Sequence, residues 1–211
     1  MNNDRESRRS FLYLLIGGGL LAAGYPLISA LSQSSERRSG KQQSFAPTPT
    51  NSLGPFYKRG APRREKLNEA NEAGSPLLVA GKVTNTDGVA LSNAVIEVFH
   101  ADNDGEYDMQ GFRFRGQVLS QASGEYKFET IVPRGYGGRP QHIHYVVNAP
   151  GHRQLVTQLY FANDPFFGGD PDKNYSRDNL VDRELIRPVA LAGQNGAQKS
   201  SVVFDICLEK S

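Results

Sequence analysis

The chain has 211 residues and a formal net charge of +2, and 38% of its residues are hydrophobic. This length suffices to bury the core of one domain, and the composition is that of a globular protein. The basic excess lies near the N-terminus, so the sequence offers no basic patch of the kind that nucleic-acid binding requires on a folded domain. The single cysteine, Cys207, excludes an intrachain disulfide, and its apolar surroundings predict a buried structural thiol.

Residues 1–31 have the pattern of an export signal. They contain the motif Ser7-Arg8-Arg9-Ser10-Phe11-Leu12, followed by an apolar, glycine-rich stretch. Paired arginines before Phe-Leu resemble the twin-arginine signal of bacteria, and the alternative is a membrane anchor that keeps its arginines on the cytoplasmic side. We therefore expect an exported protein, periplasmic or extracellular, that uses the twin-arginine export machinery and either loses this segment or stays anchored by it.

The rest of the chain divides into a linker and one domain. Residues 32–50 are rich in Ser, Gln, Arg and Pro, which predicts a flexible linker unable to pack a core. From residue 51 onward, short apolar or alternating runs are separated by turn signals, and no long run has helical periodicity. We predict that residues 51–211 form an all-β domain, an antiparallel β-sandwich with a loop-rich active-site face. The predicted strands are residues 77–84, 94–100, 126–131, 142–148, 155–161 and 201–208, and residues 170–178 are predicted as a solvated loop.

A pair of histidines marks the candidate site. His142 and His144 are two residues apart on a predicted strand, so both imidazoles face the same side and are near enough to share a metal ion. This spacing alone is a weak signal, because a chance pair facing solvent is about as frequent. The preceding loop, residues 133–140, is dense in Gly and Pro and could present Tyr136 and Arg139 toward the pair.

The order of motifs along the domain resembles that of the intradiol ring-cleavage dioxygenases, from about residue 53 to residue 208. The matching segments are residues 95–102, Gly105-x-Tyr107, residues 124–133, Tyr136, Arg139-Pro140-x-His142-Ile143-His144 and residues 155–161. The resemblance implies four iron(III) ligands, which are Tyr107, Tyr136, His142 and His144. It further implies a catalytic pair, Arg139 and Gln158, and a substrate-pocket border at Gly54-Pro55-Phe56-Tyr57, from which we select Pro55 and Tyr57.

The implied chemistry suits these residue types. Iron(III) is a hard cation that favours anionic oxygen, and phenolate meets that need once the metal lowers the tyrosine pKa. The resemblance implies that a catechol-type substrate chelates the iron, displaces Tyr136 and leaves Tyr107 bound. Reaction with O2 then opens the ring to a muconate-type dicarboxylate, with Arg139 stabilising charge and Gln158 orienting the ring. The remaining candidates are interpreted as structural: Tyr126, Tyr145 and Tyr160 as strand or core residues, and His100 and His152 as structural or surface residues.

Two other classes of protein compete with this interpretation. Residues 81–131 alone would suit a non-enzymatic, transthyretin-like β-sandwich binding module, which has no need of the motifs between residues 136 and 158. A cupin-like metalloenzyme would need more His and Glu ligands in a different order. Phe99 stands where the family often has Trp, and the short stretch between Tyr136 and His142 leaves the substrate open. The oligomeric state is also open, a homo-oligomer included.

Overall fold

The computed structural model describes residues 44–68, 72–190 and 199–211, so the predicted export segment lies outside the described residues. Among the helices of the described part, none is long and apolar enough to cross a membrane. A single α-helix, α1 (Pro171–Asn174), and three 3-10 helices (Pro165–Phe167, Tyr175–Arg177, Arg183–Leu185) occur within these ranges. The strands in the same ranges are β1 Pro76–Asn85, β2 Val95–Phe99, β3 Arg115–Leu119, β4 Glu125–Ile131, β5 His142–Asn148, β6 Leu155–Phe161, β7 Ile186–Arg187, β8 Val189–Ala190, β9 Ser200–Val203 and β10 Ile206–Leu208.

Sequence patterns located the longer strands well. The predictions for β5 and β6 are confirmed residue for residue, those for β1 and β2 differ by one residue at each end, and that for β4 differs by one residue at its start. These strands carry β-branched and aromatic residues, which fit a pleated, half-buried surface. The prediction missed β3, whose sequence Arg-Gly-Gln-Val-Leu has only two apolar residues, and the two-residue strands β7 and β8.

The described strands form two five-stranded sheets, and both are mixed. The first sheet has the order β10-β1-β9-β8 with β4 also paired to β1, and the second has the order β3-β2-β5-β6-β7. The predicted antiparallel arrangement is therefore wrong in part, because β1 runs parallel to β9 and β10, and β6 runs parallel to β7. These partners are reached after long connections, which allow the chain to re-enter a sheet in the same direction.

The predicted strand over residues 201–208 is interrupted at Phe204 and Asp205. On either side of this break, β9 and β10 pair with different halves of β1. The Asp205 carboxylate accepts a 2.9 Å hydrogen bond from the backbone N–H of Lys82, and Phe204 N–H donates to Ala80 O. The interruption thus keeps the β1 backbone groups paired where the partner strand changes.

The two faces of the second sheet have different roles. Its inner face packs against the first sheet, as Tyr145 shows, since its ring lies 6.3 Å from that of Phe128 and 5.0 Å from that of Phe204. Its outer face carries a row of residues in register across four strands, and loops bury all of them. The row consists of Gln158, His144, Phe99 and Arg115. The functional side chains therefore lie on the face away from the core.

Three smaller predictions require correction. Residues 44–50 were assigned to a flexible linker, but Thr48 exchanges hydrogen bonds with the backbone of Cys207, so this stretch lies against the domain through contacts that composition does not reveal. Cys207 itself is half-buried rather than buried. The predicted loop at residues 170–178 contains α1, which Asp170 caps by accepting from Lys173 N–H, and which buries no side chain and so leaves no helical pattern of apolar residues.

Candidate metal centre and active site

The two histidines of β5 form the base of the site. His142 and His144 are each only 2% exposed, and their ring centres are 4.8 Å apart on the same face of the strand. His142 Nδ1 lies 2.7 Å from Pro140 O. A carbonyl oxygen only accepts hydrogen bonds, so Nδ1 carries the proton and the lone pair is on Nε2. The tautomer of His142 is therefore one that can bind a metal ion.

Tyr107 reaches this pair from the loop between β2 and β3. The Asp102 carboxylate accepts hydrogen bonds from the backbone N–H groups of Asp104 and Glu106, and Gly105 supplies the positive φ of +87° that the turn requires. This turn places the Tyr107 hydroxyl 3.2 Å from Nε2 of both candidate ligand histidines. Three of the four candidate ligand atoms thus meet at one point.

Tyr136 lies on the glycine-rich loop that precedes β5. Arg139 N–H donates to Tyr136 O over 2.9 Å, which closes a tight turn through Gly137 and Gly138, both at positive φ. The Tyr136 ring lies 5.6 Å from that of Tyr107 and 6.4 Å from that of His142, centre to centre. The structure therefore brings all four sequence-predicted ligands together.

The donor set fits a hard, trivalent metal ion. Ligand atoms about 2.0–2.2 Å from a first-row metal and at about 90–110° to each other lie about 3 Å apart, so the 3.2 Å separations suit neighbours in one coordination sphere. The Tyr107 hydroxyl has one proton, so it can donate to only one of the two imidazoles. Two phenolic oxygens with two imidazoles match the preference of iron(III). Elsewhere in the described residues, no group of three or more His, Cys, Asp or Glu side chains could hold a metal.

Burial keeps Tyr107, His142 and His144 neutral until a cation is present. It raises the pKa of Tyr107, with a further contribution from the nearby Tyr136, and it lowers the pKa of His142 to about 4 and that of His144 well below its usual range. Low histidine pKa values leave the imidazole lone pairs available at neutral pH. A bound cation would reverse the effect on Tyr107, because the positive charge favours phenolate.

Aromatic rings pack around the ligands. Phe56 stacks on Tyr107 at 4.3 Å and lies edge-on to Tyr136 at 5.2 Å, while Phe99 stacks on His144 at 4.3 Å. Sequence reasoning included Phe56 in the pocket border but did not select it. Of this stretch, Phe56 is the residue whose ring meets two ligands. Pro55 and Phe56 lie in a turn rather than in an extended strand, so no alternation of side chains in the sequence identifies Phe56.

The selected pocket residues lie farther from the ligands. Pro55 is exposed, and the Tyr57 hydroxyl donates a 2.9 Å hydrogen bond to Glu97, which with burial raises the pKa of Tyr57 to about 12. Tyr57, Glu97 and apolar residues of β5 and β6 line a groove of about 400 Å³ on the outer face of the second sheet. The structure thus places Tyr57 beside Phe99, at a ring distance of 5.8 Å, on the flank of the site.

Arg139 belongs to a polar network beside the ligands. Its Nε donates to Asp178 over 2.8 Å, and its Nη2 donates to the Tyr160 hydroxyl over 2.8 Å and to Gln158 Oε1 over 3.3 Å. The Tyr160 hydroxyl in turn donates to Gln158 Oε1 over 2.7 Å. Burial disfavours the charge of Arg139, but its hydrogen bonds to Asp178 and Tyr160 raise its pKa and keep it cationic.

The strand register explains why this network adjoins the metal-facing histidines. Gln158 pairs with His144 and Tyr160 pairs with His142 across β5 and β6, so all four side chains share the outer face. The prediction of Tyr160 as a strand or core residue is confirmed by its place in β6 and its burial, as are those for Tyr126 in β4 and Tyr145 in β5. The sequence analysis missed the part that its hydroxyl takes in the network. It also left Asp178 in a solvated loop, whereas the Asp178 side chain is only 10% exposed.

Comparison with known proteins places this geometry in context. Residues 53–210 match the family model described as Dioxygenase. The chain is 33% identical to catechol 1,2-dioxygenase 2 of Acinetobacter lwoffii, over 77% of this chain and 68% of that protein. It is 34% identical to hydroxyquinol 1,2-dioxygenase of Nocardioides simplex, over 74% of this chain and 62% of that protein. Among solved structures, the dioxygenase domain of a dioxygenase and carbohydrate-binding protein fusion from Streptomyces sp. SirexAA-E is similar, with a TM-score of 0.69 and 36% identity over 79% of this chain and all of that chain.

Proposed function

The chain belongs to the intradiol dioxygenase family, a family of oxidoreductases, and from this premise we propose that it cleaves a catechol-type ring between its two hydroxylated carbons, using iron(III) and O2. The product is a muconate-type dicarboxylate. Family membership removes the alternative of a non-enzymatic transthyretin-like module, because the matched region extends through residues 136–158. The observation that carries the proposal is the meeting of the Tyr107 oxygen with Nε2 of both buried histidines at 3.2 Å.

Tyr107, Tyr136, His142 and His144 would hold the iron. When bound, iron(III) draws electron density from a chelated catecholate and makes the ring reactive toward O2. The chain contributes a dry, shaped surface for this chemistry, since Phe56 and Phe99 cover Tyr107 and His144. Excluding water strengthens the electrostatic interactions within the site.

The two tyrosines have different supports, which favours different roles. Tyr107 is held by the Asp102 turn and by the face-on stack with Phe56. Tyr136 lies on a glycine turn that is partly open to solvent, and a side chain added at Gly137 would meet nothing within 4 Å. We assign Tyr136 as the ligand that the substrate displaces, and its phenolate oxygen then accepts a substrate hydroxyl proton.

Arg139 supplies positive charge beside the substrate. Its Nε and Nη2 are engaged by Asp178, Tyr160 and Gln158, and no hydrogen bond joins its Nη1 to the part of the chain that the structure describes. Guanidinium has five N–H donors in a rigid fork, so the Nη1 edge remains available to stabilise developing negative charge. Gln158 uses its oxygen on Tyr160 and Arg139 and its nitrogen on Ser52 O, so its contribution is to fix the Arg139 side chain.

The substrate class follows from the donor set and from the relatives. Two adjacent hydroxyl oxygens can chelate one metal ion, and the relatives named above act on catechol and hydroxyquinol by name. We propose an aromatic ring with two adjacent hydroxyls as the common requirement.

Colour and oxygen consumption test this function. Protein reconstituted with iron(III) is expected to show a visible tyrosinate charge-transfer band and to consume O2 with at least one of catechol, protocatechuate, hydroxyquinol or lignin-related catechols. The Arg139→Ala variant is expected to keep the band and to lose turnover by about 100- to 1,000-fold, as on removal of one transition-state donor. A colourless, iron-loaded protein would refute the ligand assignment, and full activity of Arg139→Ala would refute the role of the arginine.

We further propose export through the twin-arginine route, supported by the Ser7 to Leu12 motif. That route carries folded proteins, which suits a protein whose metal site needs the folded chain. The expected location is the periplasm or the cell exterior, with or without a retained anchor.

A further inference from the structure

We propose that Asp178 is a positioning residue for ring cleavage, which holds the Arg139 guanidinium so that its free Nη1 edge faces the metal-bound substrate. This inference rests on the proposed function and goes beyond it, because Asp178 lies on a separate segment, 36 residues beyond the metal-facing His142 in the printed sequence. It also assigns a role to a loop that the sequence predicted to be solvated.

Arg139 cannot hold its own orientation. It ends the glycine turn that begins at Tyr136, and the two residues between them, Gly137 and Gly138, have open space where a side chain would begin. The side chain is instead held from outside the loop, by Asp178 at Nε and by Tyr160 and Gln158 at Nη2. The Nε and Nη2 donors point to the same side of the planar guanidinium, so these partners fix its plane and direct Nη1 away from them.

Asp178 is itself rigidly placed. Its Oδ1 accepts from Leu180 N–H over 2.9 Å, and its backbone oxygen accepts from Val181 N–H over 3.0 Å. Leu180 O accepts a hydrogen bond from Asn51 Nδ2 over 2.6 Å and lies 3.2 Å from the Tyr160 hydroxyl oxygen. The carboxylate therefore belongs to a closed network that connects the 178–181 turn, β6 and the segment before the pocket border.

The ion pair between Arg139 and Asp178 is largely buried, unlike an ordinary surface ion pair. The side chains of Arg139 and Asp178 are 16% and 10% exposed, whereas those of the neighbouring pair Arg183 and Asp172 are 61% and 67% exposed. A pair largely withdrawn from water is weakly screened, and the loss of one partner leaves an unpaired charge that moves to find new hydrogen bonds. The second pair lies in the same region and provides a matched control.

The test compares Asp178→Asn with Asp172→Asn in the iron-loaded enzyme. The Asp178→Asn side chain can still accept a hydrogen bond from Leu180 N–H. Arg139 Nε then faces an N–H group or a neutral oxygen in place of the carboxylate. We expect kcat to fall by about 10- to 100-fold, as for a displacement of about 1 Å in a catalytic group. Substrate affinity measured without O2 and the visible band should stay at wild-type values. Asp172→Asn should match the wild type in all three measurements.

A double-mutant cycle separates positioning from a general structural effect. In the Arg139→Ala background, Asp178→Asn should cause no further loss of kcat, since the group that it positions is absent. If Asp178→Asn alone does not fold, the double variant carries neither charge and is expected to fold with the turnover of Arg139→Ala. A crystal structure of metal-free Asp178→Asn should show the guanidinium displaced from Tyr160.

The outcomes are distinguishable. If the wild-type enzyme does not cleave the ring, the proposed function itself is refuted. Where the wild type turns over, an unimpaired Asp178→Asn variant, additive losses in the double variant, or an undisplaced guanidinium in the crystal structure of Asp178→Asn would each overturn the positioning role and leave the proposed function standing.

Discussion

Acid should destabilise this protein through a buried histidine that is not among the candidate ligands. His100 follows β2 and is 1% exposed. Its Nδ1 lies 2.7 Å from Ala101 O and its Nε2 lies 2.6 Å from Thr130 Oγ1, so the neutral ring donates to the carbonyl and accepts from the hydroxyl. Burial, opposed by the Ala101 carbonyl, lowers the pKa of His100 to about 4.

The size of the loss of stability follows from the difference between the pKa of His100 in the folded state and in the unfolded state. The unfolded chain takes up a proton on this ring as the pH falls through about 6.5, whereas the folded chain does so only near 4, so the unfolded state binds more protons between these values. The stability contributed by neutral His100 is therefore complete above about pH 6.5 and is lost as the pH falls toward 4. At about 1.36 kcal/mol per pKa unit, the loss is about 2 kcal/mol between pH 8 and pH 5 and about 3 kcal/mol below pH 4.

The assay is urea unfolding of metal-free protein at several pH values, followed by circular dichroism because the chain has no tryptophan. The His100→Gln variant keeps a donor and an acceptor but cannot become charged. Its free energy of unfolding should fall by about 2 kcal/mol less than that of the wild type between pH 8 and pH 5. His142 and His144 are present in both proteins, so their contribution cancels in the comparison. Equal losses in the two proteins, within about 0.5 kcal/mol, would refute the assigned burial effect.

Two further predictions concern the site and the export segment. Gly54 has a φ of +71°, and a Cβ there would lie 3.0 Å from His144 Cε1, whereas Gly151 has a φ of +73° and open space around it. Gly151→Ala should lower the free energy of unfolding by about 1 kcal/mol, from backbone strain alone. Gly54→Ala should lower it by more and should also reduce the amount of bound iron, as measured by unfolding and metal analysis. Equal effects of the two variants would show that the contact with His144 is unimportant. Replacement of both Arg8 and Arg9 by Lys should retain the protein in the cytoplasm, as measured by cell fractionation, and undiminished export would exclude the twin-arginine route.

Local patterns in the sequence identified most of the strands, and the family resemblance implied the four candidate ligands. The alternation in β5 places His142 and His144 on one face whatever the rest of the chain does, because successive side chains of a strand point to opposite sides. The order of motifs from Tyr107 to Gln158 was sufficient for the family resemblance, and the family match over residues 53–210 confirms it. The alternation of side chains and the order of motifs can both be read directly from the sequence.

Other features depend on which distant segments meet. The parallel pairing of β1 with β9 and β10 joins residues more than 100 positions apart, and no local pattern distinguishes it from antiparallel pairing. The stack of Phe56 on Tyr107 and the contact of residues 44–50 with Cys207 likewise join segments with no common periodicity.

The sequence by itself determined the donor types at the candidate site and the spacing of its two histidines on one strand, because these are local properties. Only the tertiary structure decided how the Arg139 side chain is held. Asp178 meets Arg139 from 39 residues away, through a turn whose sequence reads as solvated. Tyr160 joins them because the pairing of β5 with β6 places its hydroxyl on the outer face beside Gln158. An ion pair of this kind depends on the packing of loops over a sheet, and that packing is a property of the whole fold.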